Sequence, residues 1–191
     1  MPTKARTVTA DAVLAPSGAD AGGGQGLLAG LVQSFNALLR LTENSVFTAV
    51  GAAIATVTTQ IKTVNTATYL SAGVFKSKAA ADPLWTVAMF QAAVGFANIP
   101  IGSRAMFLLL VDGAGTGSVI QGPVALDDAG ATVPADTIPE DKTILASVKV
   151  VGTSAAFLPG TDNWNKAGVT FTFSDGYDAS MVGAYRVNTR V

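Results

Sequence analysis

The sequence predicts a mainly β protein: an antiparallel β-sandwich or barrel with an extended N-terminal arm and short helical segments. Short segments with alternating or β-branched apolar residues recur from residue 60 onward, as is typical of strands. Turn-forming Gly, Asp and Pro separate them at short intervals, which favours a sandwich or barrel. We therefore divide the chain into an arm (1–25), a helical segment (26–59) and a β-rich domain with a C-terminal tail (60–191).

The arm and the helical segment are predicted from composition and periodicity. Residues 1–25 are small or polar and include a glycine triplet, which favours an extended chain. Residues 26–41 carry an apolar stripe at helical spacing, which would pack on the domain or form a seam between copies. Its members are Leu28, Leu31, Phe35 and Leu38. A second helix is predicted after Ser45, on a stripe of Val46, Val50, Ala53 or Ile54, Val57 and Ile61.

The β-rich domain is predicted segment by segment. Residues 60–78 read as a hairpin around a Ser71-Ala72-Gly73 turn, and residues 84–96 as a strand or a short helix. The apolar run from Arg104 to Val111 predicts a buried strand. A return strand at 116–121 follows, and then an acidic loop at 123–142 with one helical turn at Ala125–Ala129. Strands are predicted at 143–151 and 167–177, and the tail at 179–191 is predicted to form a strand or a second arm.

The composition indicates burial against other protein chains. Hydrophobic residues make up 49 % and charged residues 13 % of the chain, whereas ordinary soluble chains carry about 25 % charged residues. No apolar run is long enough to predict a membrane-spanning helix, and the first residues do not resemble a secretory signal. The net charge of −1 gives no basic footprint for nucleic acid. We expect protein partners, and neither a membrane nor a nucleic acid.

The chain contains no cysteine and no histidine. Disulfides, thiolate nucleophiles, Ser-His-Asp catalysis and the usual zinc sites are therefore excluded. We predict a protein that is not an enzyme, with no catalytic residue, no bound cofactor and no metal.

A glycine-rich stretch, FLLLVDGAGTGSVIQG, occupies residues 107–122. A dinucleotide-binding loop needs G-x-G-x-x-G followed by a helix, and a phosphate-binding P-loop needs Lys and Ser or Thr after its last glycine. Here Gly113, Gly115 and Gly117 are followed by a segment of strand character. Because Asp112-Gly113 is a strong hairpin signal, we predict a turn.

Two further sets of residues are candidates for binding. The acidic loop carries Asp127, Asp128, Asp136, Glu140 and Asp141. These could hold calcium or form a glycosidase pair, but the spacing of an EF-hand is absent, and a solvated loop is favoured. The tryptophans, Trp85 and Trp164, could stack on a sugar. Trp164 lies among polar residues and is the better candidate for a contact residue, although packing in a core or subunit interface is favoured for both.

Four segments, taken in order, resemble virion proteins of tailed bacteriophages, namely capsid decoration (cement) or head-fibre proteins. They are TATYLSAGVFKSKAAADPLW, FLLLVDGAGTGSV, IPEDKTILASVKVV and FLPGTDNWNKAGVTFTFSD, with the matching motifs at Gly73–Asp82, Asp112–Thr116, Pro139–Val150 and Phe157–Thr172. The resemblance covers about residues 60–175. It implies a structural role without catalytic residues.

The resemblance sets the functional expectation. We expect a homotrimer that is made in the host cytoplasm and binds the major capsid protein or other virion proteins at the capsid surface of the virion. The alternative is a tail fibre or receptor-binding module whose loop around Trp164 contacts a host glycan.

Overall fold

A computed structural model describes residues 44–134 and 137–176, and within them the protein is mainly β, with antiparallel sheets. The predicted fold class is confirmed at that level, while the choice between sandwich and barrel stays a prediction. The strands are β1 (Ala52–Ile54), β2 (Ile61–Thr63), β3 (Ala67–Ser71), β4 (Val74–Lys78), β5 (Arg104–Asp112), β6 (Gly117–Gln121), β7 (Lys142–Gly152) and β8 (Val169–Asp175). A short helix, α1 (Val87–Gln91), precedes β5.

The central sheet has four strands in the order β6-β5-β7-β8. Its two faces are covered by different parts of the chain. Phe107, Leu109 and Val111 of β5 point to one face and pack against the β1–β4 hairpins and α1; we call it the aromatic face. Leu108 and Leu110 point to the other face, under the loop of residues 122–141; we call it the loop face. Burial on both faces explains why the predicted strand at 104–111 has a continuous apolar run instead of an alternating one.

The register of β5 against β7 shifts at one position. Leu109 lies opposite Ala146, whereas Leu110 lies opposite Ile144, so Leu145 is the extra residue of a β-bulge. Both Leu145 and Ala146 consequently pack on the aromatic face. The Leu145 carbonyl accepts a hydrogen bond from the Gly176 amide at 2.8 Å, just beyond the end of β8.

The β3–β4 hairpin confirms the turn predicted at Ser71-Ala72-Gly73. Ala72 and Gly73 both have positive φ, +50° and +73°, as the tight two-residue turns of hairpins require. Alanine is uncommon in this conformation. The Ala72 amide donates to the Asn44 side-chain oxygen at 2.9 Å, which fixes the turn against the preceding chain.

The second predicted helix, after Ser45, is wrong. Residues 52–54 form β1, which pairs antiparallel with β2, and Val46 forms a β-bridge with Tyr69. Gly51 has a φ of +62°, which a right-handed helix does not accommodate. The members of the predicted stripe other than Ala53 are all Val or Ile, and such β-branched side chains suit a strand as well as a helical stripe.

The structure also decides the smaller predictions in the β-rich domain. Residues 87–91 are helical, so the ambiguous segment at 84–96 contains a short helix. The helical turn predicted at Ala125–Ala129 is misplaced. Ala125 forms a bridge with Arg104, and the one i→i+4 hydrogen bond described in this loop runs from the Ala131 amide to the Asp127 carbonyl at 3.3 Å, beside the bond from the Gly130 amide to the Asp127 side chain. The strands predicted at 116–121, 143–151 and 167–177 correspond to β6, β7 and β8.

Other predictions lie outside the described residues: the arm, the first helix at 26–41, the tail from residue 177, and Asp136. In the part of the chain that is described, no helix has the length and apolar character needed to cross a membrane.

Candidate functional site

The glycine-rich stretch forms the predicted hairpin turn between β5 and β6. The Asp112 carboxylate accepts hydrogen bonds from the Ala114 and Thr116 amides, both at 2.9 Å. Gly115 has a φ of +82° and donates its amide to the Asp112 carbonyl. These amides already have a partner within the turn, so they are not presented to a phosphate as in a nucleotide-binding loop.

Two aromatic side chains fix the turn to the domain. The Tyr69 hydroxyl donates to the Asp112 carbonyl at 3.0 Å, and the Trp85 indole donates to the Leu110 carbonyl at 3.0 Å. Burial, and secondarily the charge of Asp112, raise the pKa of Tyr69. A Cβ added at Gly117 would lie 2.8 Å from the Leu84 carbonyl oxygen, so glycine is needed for this close approach. The turn is an integral part of the packing.

The acidic loop does not bring its carboxylates together. Asp127 closes its own turn, and Asp128 binds two cations: Arg104 at 2.8 Å and Lys149 at 3.2 Å. The hydrogen bonds from Arg104 and then Lys149 lower the pKa of Asp128. Within residues 44–134 and 137–176, no group of three or more acidic side chains is arranged to hold a metal ion.

Neither tryptophan is accessible. Trp85 and Trp164 are both fully buried. The Trp164 ring contacts rings from α1, β5, β8 and the preceding loop, at centroid distances of 4.9 to 5.6 Å. These partners are Phe90, Phe107, Phe171 and Phe157. The preference for core packing is therefore confirmed, and Trp164 as the glycan-contact residue of the alternative function is wrong.

The polar neighbours of Trp164 explain its burial. The Trp164 amide donates to the Thr58 carbonyl at 2.8 Å and its indole to the Thr59 carbonyl at 3.2 Å. The Thr58 hydroxyl donates to the Asn163 side-chain oxygen at 2.8 Å. The polar residues of the loop thus pair with the β1–β2 turn at the surface, while the indole ring points inward.

An exposed apolar feature was missed by the sequence analysis. Phe47 and Phe75 stack at the surface, with centroids 5.3 Å apart and side chains 56 % and 64 % exposed. Leu70, half-buried, lies directly opposite Phe75 in the β3–β4 ladder. We call these three residues the Phe47–Phe75 strip. The sequence analysis placed Phe75 correctly in a hairpin strand. It placed Phe47 in a helix, however, so it did not predict that the two rings are neighbours.

The ends of the described domain also meet. A Cβ placed on Gly176 would lie 3.4 Å from Cγ1 of Val46. The Asp175 carboxylate accepts hydrogen bonds from the Gly51 and Ala52 amides at 3.1 and 3.0 Å. The first and last stretches of the described domain are therefore neighbours in the fold.

Comparisons with models of protein families, with curated proteins and with solved structures found no match to this chain.

Proposed function

We propose that the protein is a non-catalytic structural component of a tailed-phage virion, a capsid decoration or cement protein or a head fibre. It acts as an oligomer, a homotrimer by the sequence expectation, that binds the major capsid protein or other virion proteins at the capsid surface. Its work is mechanical: many modest contacts, multiplied by copy number, hold it on the shell.

The observation that carries this proposal is the meeting of the two domain ends. Val46 lies beside Gly176, so the two ends of the described β domain are neighbours. A subunit built this way can place its core on one surface and extend two segments across neighbouring subunits. Segments that order on docking lose entropy but cover a wide area.

Composition and surface support the same reading. Only 13 % of the residues are charged. Large apolar side chains remain exposed at separate places, among them Leu126 at 77 % and Ile101 at 60 %. Contacts with other chains would bury such positions, and obligate interfaces are more apolar than ordinary surfaces.

The test is capsid binding by the purified full chain and by a variant lacking residues 1–25. We expect the variant to remain a folded oligomer by sedimentation and to occupy emptied phage heads poorly. The matched control replaces residues 1–25 with a scrambled sequence of the same composition, which keeps the length and removes the specific contacts. Equal occupancy for all three proteins would refute the role of the arm, and a full chain that sediments as a monomer without affinity for heads would refute the function.

A further inference from the structure

We propose that residues 26–41 of the same chain cover the Phe47–Phe75 strip, with their apolar stripe packed against Phe47, Leu70 and Phe75. This inference concerns the fold of a single chain and stands whether or not the protein decorates a capsid.

The first argument is the exposure and shape of the strip. Val46 and Tyr69 form a bridge, and both side chains pack into the core. Phe47 follows Val46 and Leu70 follows Tyr69, so both point to the outer side of β3, and Phe75 lies opposite Leu70 on that same side. Two stacked rings that remain more than half exposed offer a flat apolar surface. Exposed apolar side chains that are in contact with one another are candidates for a contact surface.

The second argument is the position at which the described chain begins. The Asn44 side chain receives the Ala72 amide at 2.9 Å and donates to the Glu140 carbonyl at 2.8 Å. Asn44 is thereby held at the tip of the β3–β4 hairpin, next to the strand end that carries Phe75. Leu38 is six residues before Asn44 in the sequence. An extended link spans roughly 3.3 Å per residue, so the stripe can reach the strip.

The third argument is the chemistry of residues 26–41. Their sequence, GLLAGLVQSFNALLRL, contains a single charged residue, Arg40. A helix of that composition has an apolar stripe that must be buried. The strip is the exposed apolar surface adjacent to the point of entry.

The tail after residue 176 is a weaker occupant for a geometric reason. Gly176 lies against the Val46 side chain. Val46 packs on the core side of its strand, and neighbouring Phe47 points to the opposite side. Gly176, the last described residue, therefore lies on the core side of this layer, whereas the strip lies on its outer side.

Engineered cysteine pairs test the proposal cleanly, because the natural chain contains no cysteine. Phe75→Cys is combined in turn with Leu31→Cys, Phe35→Cys or Leu38→Cys. Disulfides form only when the Cα atoms come within about 7 Å. We expect at least one stripe position to give an intramolecular disulfide, seen as faster migration on a non-reducing gel. The matched control is Gln33→Cys with Phe75→Cys, since residue 33 lies on the opposite side of the predicted helix and should give none.

A second measurement keeps the proposal testable if no pair has suitable disulfide geometry. In the full chain, Phe47→Ser with Phe75→Ser removes both rings of the strip without changing a buried residue. Undocking should expose Arg40, so we expect tryptic cleavage after Arg40 to accelerate roughly tenfold, as for a segment released from local protection. The control is Ile101→Ser, a similarly exposed position just before β5, at the opposite end of that strand from Asp112, which Tyr69 of β3 contacts.

Each other outcome overturns the proposal. Disulfides that appear only between chains, when the two single-cysteine proteins are mixed, would assign the strip to a second copy. Coupling of Phe75→Cys to Met181→Cys in preference to the stripe would assign it to the tail. Absence of any stripe disulfide together with unchanged cleavage after Arg40 would mean that residues 26–41 do not cover the strip.

Discussion

The two faces of the central sheet are packed in different ways. On the aromatic face, Trp164 is surrounded by rings contributed by α1, β5, β8 and a loop, which are far apart in the sequence. On the loop face, a small cluster of aliphatic side chains is covered by Val133 and Ile138 from one irregular segment. The aromatic face joins the whole domain together, whereas the loop face closes over β5, β6 and β7 alone.

The two kinds of packing indicate where the fold is least tolerant of change. Interiors are close-packed, and a vacancy costs most where the surroundings cannot relax into it. Rings held by several strands and a helix cannot move together, whereas an irregular loop can settle by small shifts. Substitutions on the two faces should therefore differ in cost.

The largest expected effect is that of Trp164→Ala. Truncating this fully buried indole removes the ring contacts to four partners. It also removes the hydrogen bond from the indole to the Thr59 carbonyl and leaves only the backbone hydrogen bond to Thr58. We expect a loss of about 4 kcal/mol in the free energy of unfolding, measured by urea denaturation. Trp164→Phe, which keeps a ring, should lose clearly less. If Trp164→Ala cost no more than a truncation on the loop face, the comparison would fail.

The next effect is that of Leu108→Ala on the loop face. Leu108 is fully buried under the loop, next to Val133. We expect a loss of about 2.5 kcal/mol in the free energy of unfolding, at the low end for leucine, because the loop can partly fill the cavity. Leu109→Ala is the matched control: the neighbouring residue is equally buried but faces the aromatic side, and it should cost more. Equal losses would show that the loop is as rigid as the aromatic packing.

The sequence predicted the local features of this fold well. The β3–β4 turn, the Asp112-Gly113 hairpin and the buried strand at 104–111 each depend on residues close together in the chain, and all three were found. The second helix failed because Val46 and Val50 satisfy a helical and an extended pattern equally; the choice was decided by pairing with β2 and β3, which the sequence does not display.

The candidate site was less predictable for the same reason. Trp164 lies in a polar sequence, TDNWNKAG, and only its partners at Thr58 and Thr59, more than 100 residues earlier, turn the ring inward. Phe47 and Phe75 approach through the pairing of distant segments. Contacts between residues far apart in sequence decide which aromatic side chain is buried and which is exposed. The polarity of the neighbouring residues in the sequence is therefore a poor guide to the burial of these aromatic side chains.

The smallest expected effect compares one exposed carboxylate from each side of the sheet. Asp82 accepts hydrogen bonds from the Thr56 amide and hydroxyl at 3.0 and 2.8 Å, beside Lys62, near the β1–β2 hairpin that covers the aromatic face. Asp128 binds Arg104 and Lys149 on the loop face. The Thr56 hydrogen bonds lower the pKa of Asp82, and the Arg104 hydrogen bond is the main cause that lowers the pKa of Asp128.

Both carboxylates should stabilise the fold at neutral pH and lose that contribution in acid. Because each folded-state pKa lies below its unfolded value, the stabilisation is complete above the unfolded pKa and disappears as the pH falls through the folded one. Asp82→Asn and Asp128→Asn should each flatten the acid limb of a plot of unfolding free energy against pH, by a small amount since both groups are exposed. Carboxyl NMR titration should place both midpoints below the ordinary aspartate value.

Salt separates the two cases. The partners of Asp128 are charged, so added salt should raise its titration midpoint toward the ordinary value. The main partners of Asp82 are the neutral donors of Thr56, which salt does not screen, so its midpoint should move less. A Thr56→Val variant removes the hydroxyl donor and keeps the amide donor, so the titration midpoint of Asp82 should rise by a similar amount at low and high salt. Equal salt responses in the natural chain would contradict the assignment of Thr56 as the main cause at Asp82.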